Sequence, residues 1–213
     1  MLTKDNLWIA TIGTAADYSL ATIKEFNKKF PELAESSEDI YRIIYETKLG
    51  KLIKIFSFIL KDPHYKVLQY VNVIEKINSP DELLGESSKN AEEIMKVYRR
   101  VNSEYQKLFE EASKSQESMV HKFLYPAGNM SFTAELSSEL QHEFRDKMII
   151  VGRQKDSSIK MSLRYQKKDL RKLLEKALEG LDGYGGGHKH ACGCHINSRD
   201  YNEFVERLES YIK

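Results

Sequence analysis

Gly185, Gly186 and Gly187 stand side by side, with His188 directly after them, in the segment Gly183-Tyr184-Gly185-Gly186-Gly187-His188-Lys189-His190-Ala191-Cys192-Gly193-Cys194-His195. No other feature constrains the chain as much. A glycine triplet has no Cβ to keep a ligand or a neighbouring backbone away, and each residue reaches positive φ without steric cost. A tight turn between helix and strand would use such a run. So would a cradle whose backbone amides approach an anion, with His188 as a further donor.

The charge distribution favours the cradle. A formal net charge of +1 hides an asymmetry: residues 145–176 carry eleven Lys/Arg against four Asp/Glu, and residues 75–117 carry seven against ten. A basic segment inside a near-neutral chain reads as an anion-binding face, or else as a solvated helix face. With 213 residues, 41% of them hydrophobic, the chain has material for one large domain or two small ones. Cys192 and Cys194 lie two apart on one strand face and cannot bridge each other without strain, so no disulfide framework is expected. Met1 to Asp5 shows no leader pattern, and Lys51, Lys54 and Lys61 interrupt the most apolar stretch below membrane-spanning length. A cytoplasmic protein is the expectation.

The fold class expected is α/β: a helical N-terminal and connector region with one remnant strand, then a small mixed α/β substrate-binding domain. Residues 1–86 form the first part, 87–117 a long connector helix, and 118–213 the mixed domain. Asn6 to Ile12 reads as a buried strand, followed by the small-residue turn Gly13-Thr14-Ala15-Ala16-Asp17, with Asp17 placed to N-cap a helix. A helix over 20–30 ends at Pro31. Ser36-Ser37-Glu38-Asp39 caps the next, which runs to about Leu60; Pro63 opens another to about Ile77, and Ser79-Pro80 a short one stopped by Gly85. Ser87 or Ser88 caps a helix to about Ser115, with an apolar seam at Ile94, Tyr98, Val101, Tyr105, Leu108 and Ala112. Beyond Ser118 the pattern predicts strands at 119–125, 148–153, 159–165 and 190–196, and helices at 133–144 and 169–181. A closing helix capped by Ser198 completes the chain.

The period of two along 159–165 puts Lys160, Ser162 and Arg164 on one face: an ammonium, a hydroxyl and a planar guanidinium fork, in a row suited to phosphate. Lys167, Lys168, Arg171 and Lys172 extend the positive field. His188, His190, Cys192 and Cys194 share the same period, with His195 adjacent, which also suits zinc. Side chains along one straight strand diverge, however, and zinc sites draw ligand pairs from turns, so packing under a helix is the preferred reading.

Lys160-Met161-Ser162-Leu163-Arg164, the helix over 169–181, and Gly185-Gly186-Gly187-His188 with Ala191-Cys192-Gly193 together resemble the C-terminal substrate-binding domain of the DHH-family phosphoesterases, which include RecJ-type exonucleases and oligoribonucleases. The family pattern has Ser-x-Arg-Ser, then Gly-Gly-Gly-His and Ala-Ala-Gly. Here Tyr165 replaces the last serine and Cys192 one alanine. The resemblance covers residues from about 119 to 213 and implies a binding role for Arg164, Gly185, Gly186, Gly187 and His188. Gly13-Thr14-Ala15-Ala16-Asp17 also resembles the last motif of the family's catalytic domain, whose Asp binds manganese. The family's Asp-x-Asp and Asp-His-His motifs are absent, and Asp62-Pro63-His64 is only an echo.

A two-metal phosphoesterase needs several carboxylates and histidines, so the chain is expected to be catalytically silent alone, using manganese only if a partner chain supplies the missing ligands. By resemblance to the RecJ-like proteins of archaeal replisomes that lack nuclease activity, it is expected to bind single-stranded DNA beside GINS and the MCM helicase. The alternative is the C-terminal half of a split or truncated manganese-dependent phosphoesterase. A small-nucleotide sensor is the third reading.

Overall fold

The computed structural model describes residues 6–34, 37–114 and 117–212. The chain divides into two compact units, Met1–Glu104 and Tyr105–Lys213. Among the described residues no helix is long and apolar enough to cross a membrane.

The first unit is helical throughout its described part. It contains α1 (Leu7–Ala16), α2 (Ile23–Lys29), α3 (Ile40–Glu46), α4 (Lys48–Ile59), α5 (His64–Ile74), α6 (Pro80–Leu84) and the first part of α7 (Lys89–Ala112). The remnant strand expected at Asn6 to Ile12 is therefore corrected to a helix. An isolated strand there would leave its backbone donors and acceptors without a ladder. Helix α1 satisfies them internally and buries Trp8, Thr11, Ile12 and Ala15, which recur at helical spacing, while the Thr11 hydroxyl donates to the Leu7 carbonyl at 2.8 Å. Asp17 follows the end of α1 as its C-cap, with its amide donating to Thr14, so it is not an N-cap.

The single helix expected up to Leu60 is two. Thr47 adopts an extended conformation between α3 and α4, its hydroxyl donating to the Ile43 carbonyl and accepting from the Gly50 amide. A Cβ on Gly50 would lie 1.9 Å from the Ile44 carbonyl oxygen, so glycine is what lets α4 fold back against α3. Asp39 caps α3; the expected Ser36 lies outside the described residues. Trp8, Phe26, Ile43, Leu52 and Ile55 meet Ile94 and Met95 of α7 in one core. Asp62 is tied into this unit by the Tyr70 hydroxyl at 2.7 Å and the Arg100 guanidinium at 2.6 Å, a structural use for the carboxylate of the Asp62-Pro63-His64 echo.

The second unit holds the rest of α7 and a five-stranded sheet: β1 (Val120–Pro126), β2 (Met148–Lys155), β3 (Ser158–Arg164), β4 (Gly183–Gly187) and β5 (Ala191–Asn197), in the order β1-β2-β3-β5-β4. β1 runs parallel to β2 and the other neighbours are antiparallel. Helix α8 (Thr133–Glu143) makes the β1-to-β2 crossover, α9 (Leu170–Leu178) joins β3 to β4, and α10 (Tyr201–Ile212) ends the chain. Asn197 rather than Ser198 provides the cap before α10, above a short 3-10 turn at Ser198–Asp200.

Alternation decides which side of the sheet is the core. Ile159, Met161 and Leu163 of β3, with Cys192, Cys194 and Ile196 of β5, pack under Leu170, Leu174 and Ala177 of α9 and Phe204 and Leu208 of α10. The opposite side is covered over β2 and β3 by α8. Beyond it, Gly193 of β5 and Gly186 of β4 are exposed.

Candidate nucleic-acid interface

The glycine run, read above as a turn or cradle between elements, is itself a strand. β4 pairs antiparallel with β5 as the sheet edge, and the turn proper is 188–190, closed by the His188 amide donating to the Ala191 carbonyl at 2.8 Å. Gly187 needs to be glycine: its φ is +150°, and a Cβ would lie 2.4 Å from the Ala191 oxygen. Gly186 differs. A Cβ there would meet no atom within 4 Å, because it would project into solvent above the sheet.

Register then assembles the site. Gly186 sits opposite Gly193, and Gly193 opposite Ser162, so two bare strands lie beside the serine. Arg164 pairs with Ala191 one step along, at the end where the His188 turn begins. Tyr184, His195 and Lys160 lie abreast at the other end of the same face. The result is a floor without side chains, bounded by Arg164 and Ser162 on one flank.

Arg164 is held, not loose. Its Nε donates to the Ser138 hydroxyl at 3.2 Å, and its Nη1 to the Ser162 hydroxyl and the Leu163 carbonyl, both at 2.9 Å. Ser162 in turn accepts from the Ser137 hydroxyl at 3.0 Å. Ser137 and Ser138, on α8, thus orient the guanidinium from the covered part of the face. Nothing in the sequence pattern singled them out, since only the crossover of α8 brings them to β3. A planar fork fixed beside accessible backbone is suited to an oxyanion such as phosphate.

The sequence-predicted residues divide accordingly. Lys160, Ser162, Arg164 and Gly186 lie on this surface and His188 at its end, Lys160 and His188 exposed, whereas Gly185 and Gly187 pair with Cys194 and Cys192 and turn to the core side of the sheet. Lys167 and Lys168 have other uses. Lys167 forms an ion pair with Asp146 at 2.9 Å, and Lys168 donates to the Tyr211 carbonyl at the end of α10. Tyr165, in the place of the family's serine, is buried in the core and receives a hydrogen bond from the His190 ring at its carbonyl if Nδ1 carries the proton.

Cys192 and Cys194 face the core, where burial pushes the Cys194 thiol up to about 12 and raises that of Cys192 as well. Packed beneath α9 and α10, neither thiol is presented on the open face of the sheet. Among the described residues no three His, Cys, Asp or Glu side chains gather to hold a metal ion. Asp17, the match to a family manganese ligand, stands exposed at the end of α1. The described residues do not gather the ligands of a manganese centre.

The family model for the DHHA1 domain matches residues 116–213. No curated protein matches the chain in sequence. Among solved structures, RecJ from Thermus thermophilus in complex with Mn2+ superposes with a TM-score of 0.64 at 16% identity, over 97% of this chain and 32% of that one. A manganese-bound exonuclease RecJ gives 0.52 at 19% identity, over 97% of this chain and 54% of its own. The pGpG-specific phosphodiesterase PggH from Vibrio cholerae gives 0.52 at 14%, over 89% and 66%. The chain therefore spans about a third of the length of the Thermus RecJ. The glycine-floored surface with its fixed arginine lies within the segment that matches the DHHA1 domain model, residues 116–213, and the chain shares the fold of the superposed part of RecJ.

Proposed function

We propose that this chain is a grip for single-stranded DNA without a nuclease centre of its own. The observation that carries the reading is the pairing of Arg164, fixed by Ser162 and Ser138, with the open backbone of Gly186 and Gly193. A phosphate at Arg164 leaves the adjacent sugar room to lie on the glycine floor, where any side chain would obstruct it. The Lys160 ammonium, on the same face, adds to the field. Affinity resting on phosphate contacts is salt-sensitive and weakly selective for sequence.

The resemblance to RecJ-like proteins without nuclease activity extends this proposal to a replisome role beside GINS and the MCM helicase. Co-purification of both with the chain from a native extract tests that part. The absent Asp-x-Asp and Asp-His-His motifs support the non-catalytic reading. Incubation of the full chain with single-stranded DNA and manganese is expected to leave the DNA intact. Degradation that disappears in Arg164→Ala would instead establish the second reading, a partial DHH phosphoesterase, which the Gly13-Thr14-Ala15-Ala16-Asp17 motif favours.

A further inference from the structure

We propose that Tyr184, His195 and Asp182 form a nucleobase subsite, distinct from the Arg164 grip and selective for a base that carries an amino group. The proposal rests on the single-strand reading above and names what that strand presents at the far end of the face.

β4 carries one side chain among its glycines, and that is Tyr184, a large aromatic 69% exposed at the sheet edge. Its ring stands 5.3 Å from that of His195, tilted by 49°. The pair walls a depression of 340 Å³ whose other side is polar: Ser158, Asp182 and Asn197. Asp182 is held in place there, its Oδ2 accepting from the Asn197 amide and the Arg199 guanidinium, both at 3.3 Å. Its Oδ1 meets no donor among the described residues. An aromatic face beside a positioned acceptor matches a flat, donor-edged ligand. A carboxylate accepts from the exocyclic amine of cytosine, whereas thymine and uracil place the O4 acceptor at that position and keep only the N3–H as a donor on the same edge.

Register ties this subsite to the grip. Tyr184, His195 and Lys160 lie abreast; Lys160 is four residues from Arg164 along β3, about 13 Å, and Tyr184 is two strands across from Lys160, about 10 Å, so grip and subsite are about 16 Å apart. That span exceeds one nucleotide and takes no more than about five at the 3.4 Å rise of a stacked strand. A strand held by a phosphate at Arg164 thus lays a later base on Tyr184, with Lys160 at the intervening backbone.

The test is fluorescence anisotropy of the full chain with oligo(dC) and oligo(dU) of equal length, which differ at the amine. Wild type is expected to bind oligo(dC) about tenfold more tightly. Tyr184→Ala is expected to weaken both by about tenfold while Tyr184→Phe preserves binding, and Asp182→Ala to remove the preference for oligo(dC). Equal affinity for the two oligomers, or binding that depends on Arg164 and ignores Tyr184→Ala, overturns the subsite and leaves the single-strand reading standing. No binding of either oligomer overturns both.

Discussion

Replacing Gly186 by leucine separates the two uses that glycine has in β4. No atom lies within 4 Å of a Cβ at this position, and its φ is not in the left-handed region, so the fold accommodates the new side chain. Removing a glycine's freedom from the unfolded chain contributes about 0.4–1 kcal/mol of stability. Denaturant unfolding of Gly186→Leu should therefore match wild type or exceed it slightly. Binding should not survive, because the isobutyl group stands on the floor between Gly193 and the incoming sugar. Losing one charge-assisted hydrogen bond at Arg164 costs about 1.5–3 kcal/mol, a ten- to hundredfold loss of affinity for single-stranded DNA by anisotropy. Gly187→Ala is the control with the opposite signature. Its φ of +150° and a Cβ 2.4 Å from the Ala191 oxygen and 2.7 Å from the Cys192 Cα require the hairpin to move, a destabilisation of about 1–3 kcal/mol. A Gly186→Leu protein that is stable and binds like wild type would refute the idea that the ligand lies on the glycine floor.

Gly50→Ala should destabilise the helical unit by about 3 kcal/mol, read as a lower urea midpoint, since the Ile44 carbonyl 1.9 Å from the new Cβ is backbone and cannot swing aside. Asp62→Asn should cost about 1 kcal/mol near neutral pH. Desolvation pulls the Asp62 carboxyl up, but its hydrogen bonds from Tyr70 and Arg100 outweigh this and hold it below the ordinary range. The contribution is fully present above the unfolded value of about 3.9 and is lost as pH falls through the lower folded value. The stability gap between Asp62→Asn and wild type should close in that acidic window, and a gap constant from neutral pH to below it would count against the ion pair.

Much of the second unit was legible because period-two alternation is unambiguous where one sheet face is buried. Ile159, Met161 and Leu163 fix the core side, so Lys160, Ser162 and Arg164 had to share the other. The caps Asp39 and Ser79 fall in the polar stretches Ser36-Ser37-Glu38-Asp39 and Ser79-Pro80, which were likewise visible as helix starts before apolar runs. What failed did so for identifiable reasons. Leu7-Trp8-Ile9-Ala10-Thr11-Ile12 is a short apolar run, and periodicity alone does not tell a buried strand from a buried helix. The break at Thr47 depends on the contact between Gly50 and Ile44, which no local pattern encodes. The glycine run read as a cradle or a turn between elements because strand propensity is poor for glycine, whereas pairing with β5 makes it an edge strand. Lys168 joined the basic field on sequence distance, and the α9 turn sends it to the end of α10 instead. Ser137 and Ser138 became part of the site only through the crossover of α8.

The central claim is that the open face of β3, β5 and β4 holds a phosphate backbone through Arg164. The measurement that tests it most directly is the affinity of the full chain for single-stranded DNA across a salt series, for wild type and Arg164→Ala, with folding of both checked by circular dichroism. The account predicts that log affinity falls linearly with log salt for wild type. Arg164→Ala should bind at least about tenfold more weakly, with a slope shallower by about 0.7, the share of one phosphate contact on a single strand. Affinity indifferent to salt, or a folded Arg164→Ala protein with the affinity and slope of wild type, would contradict it.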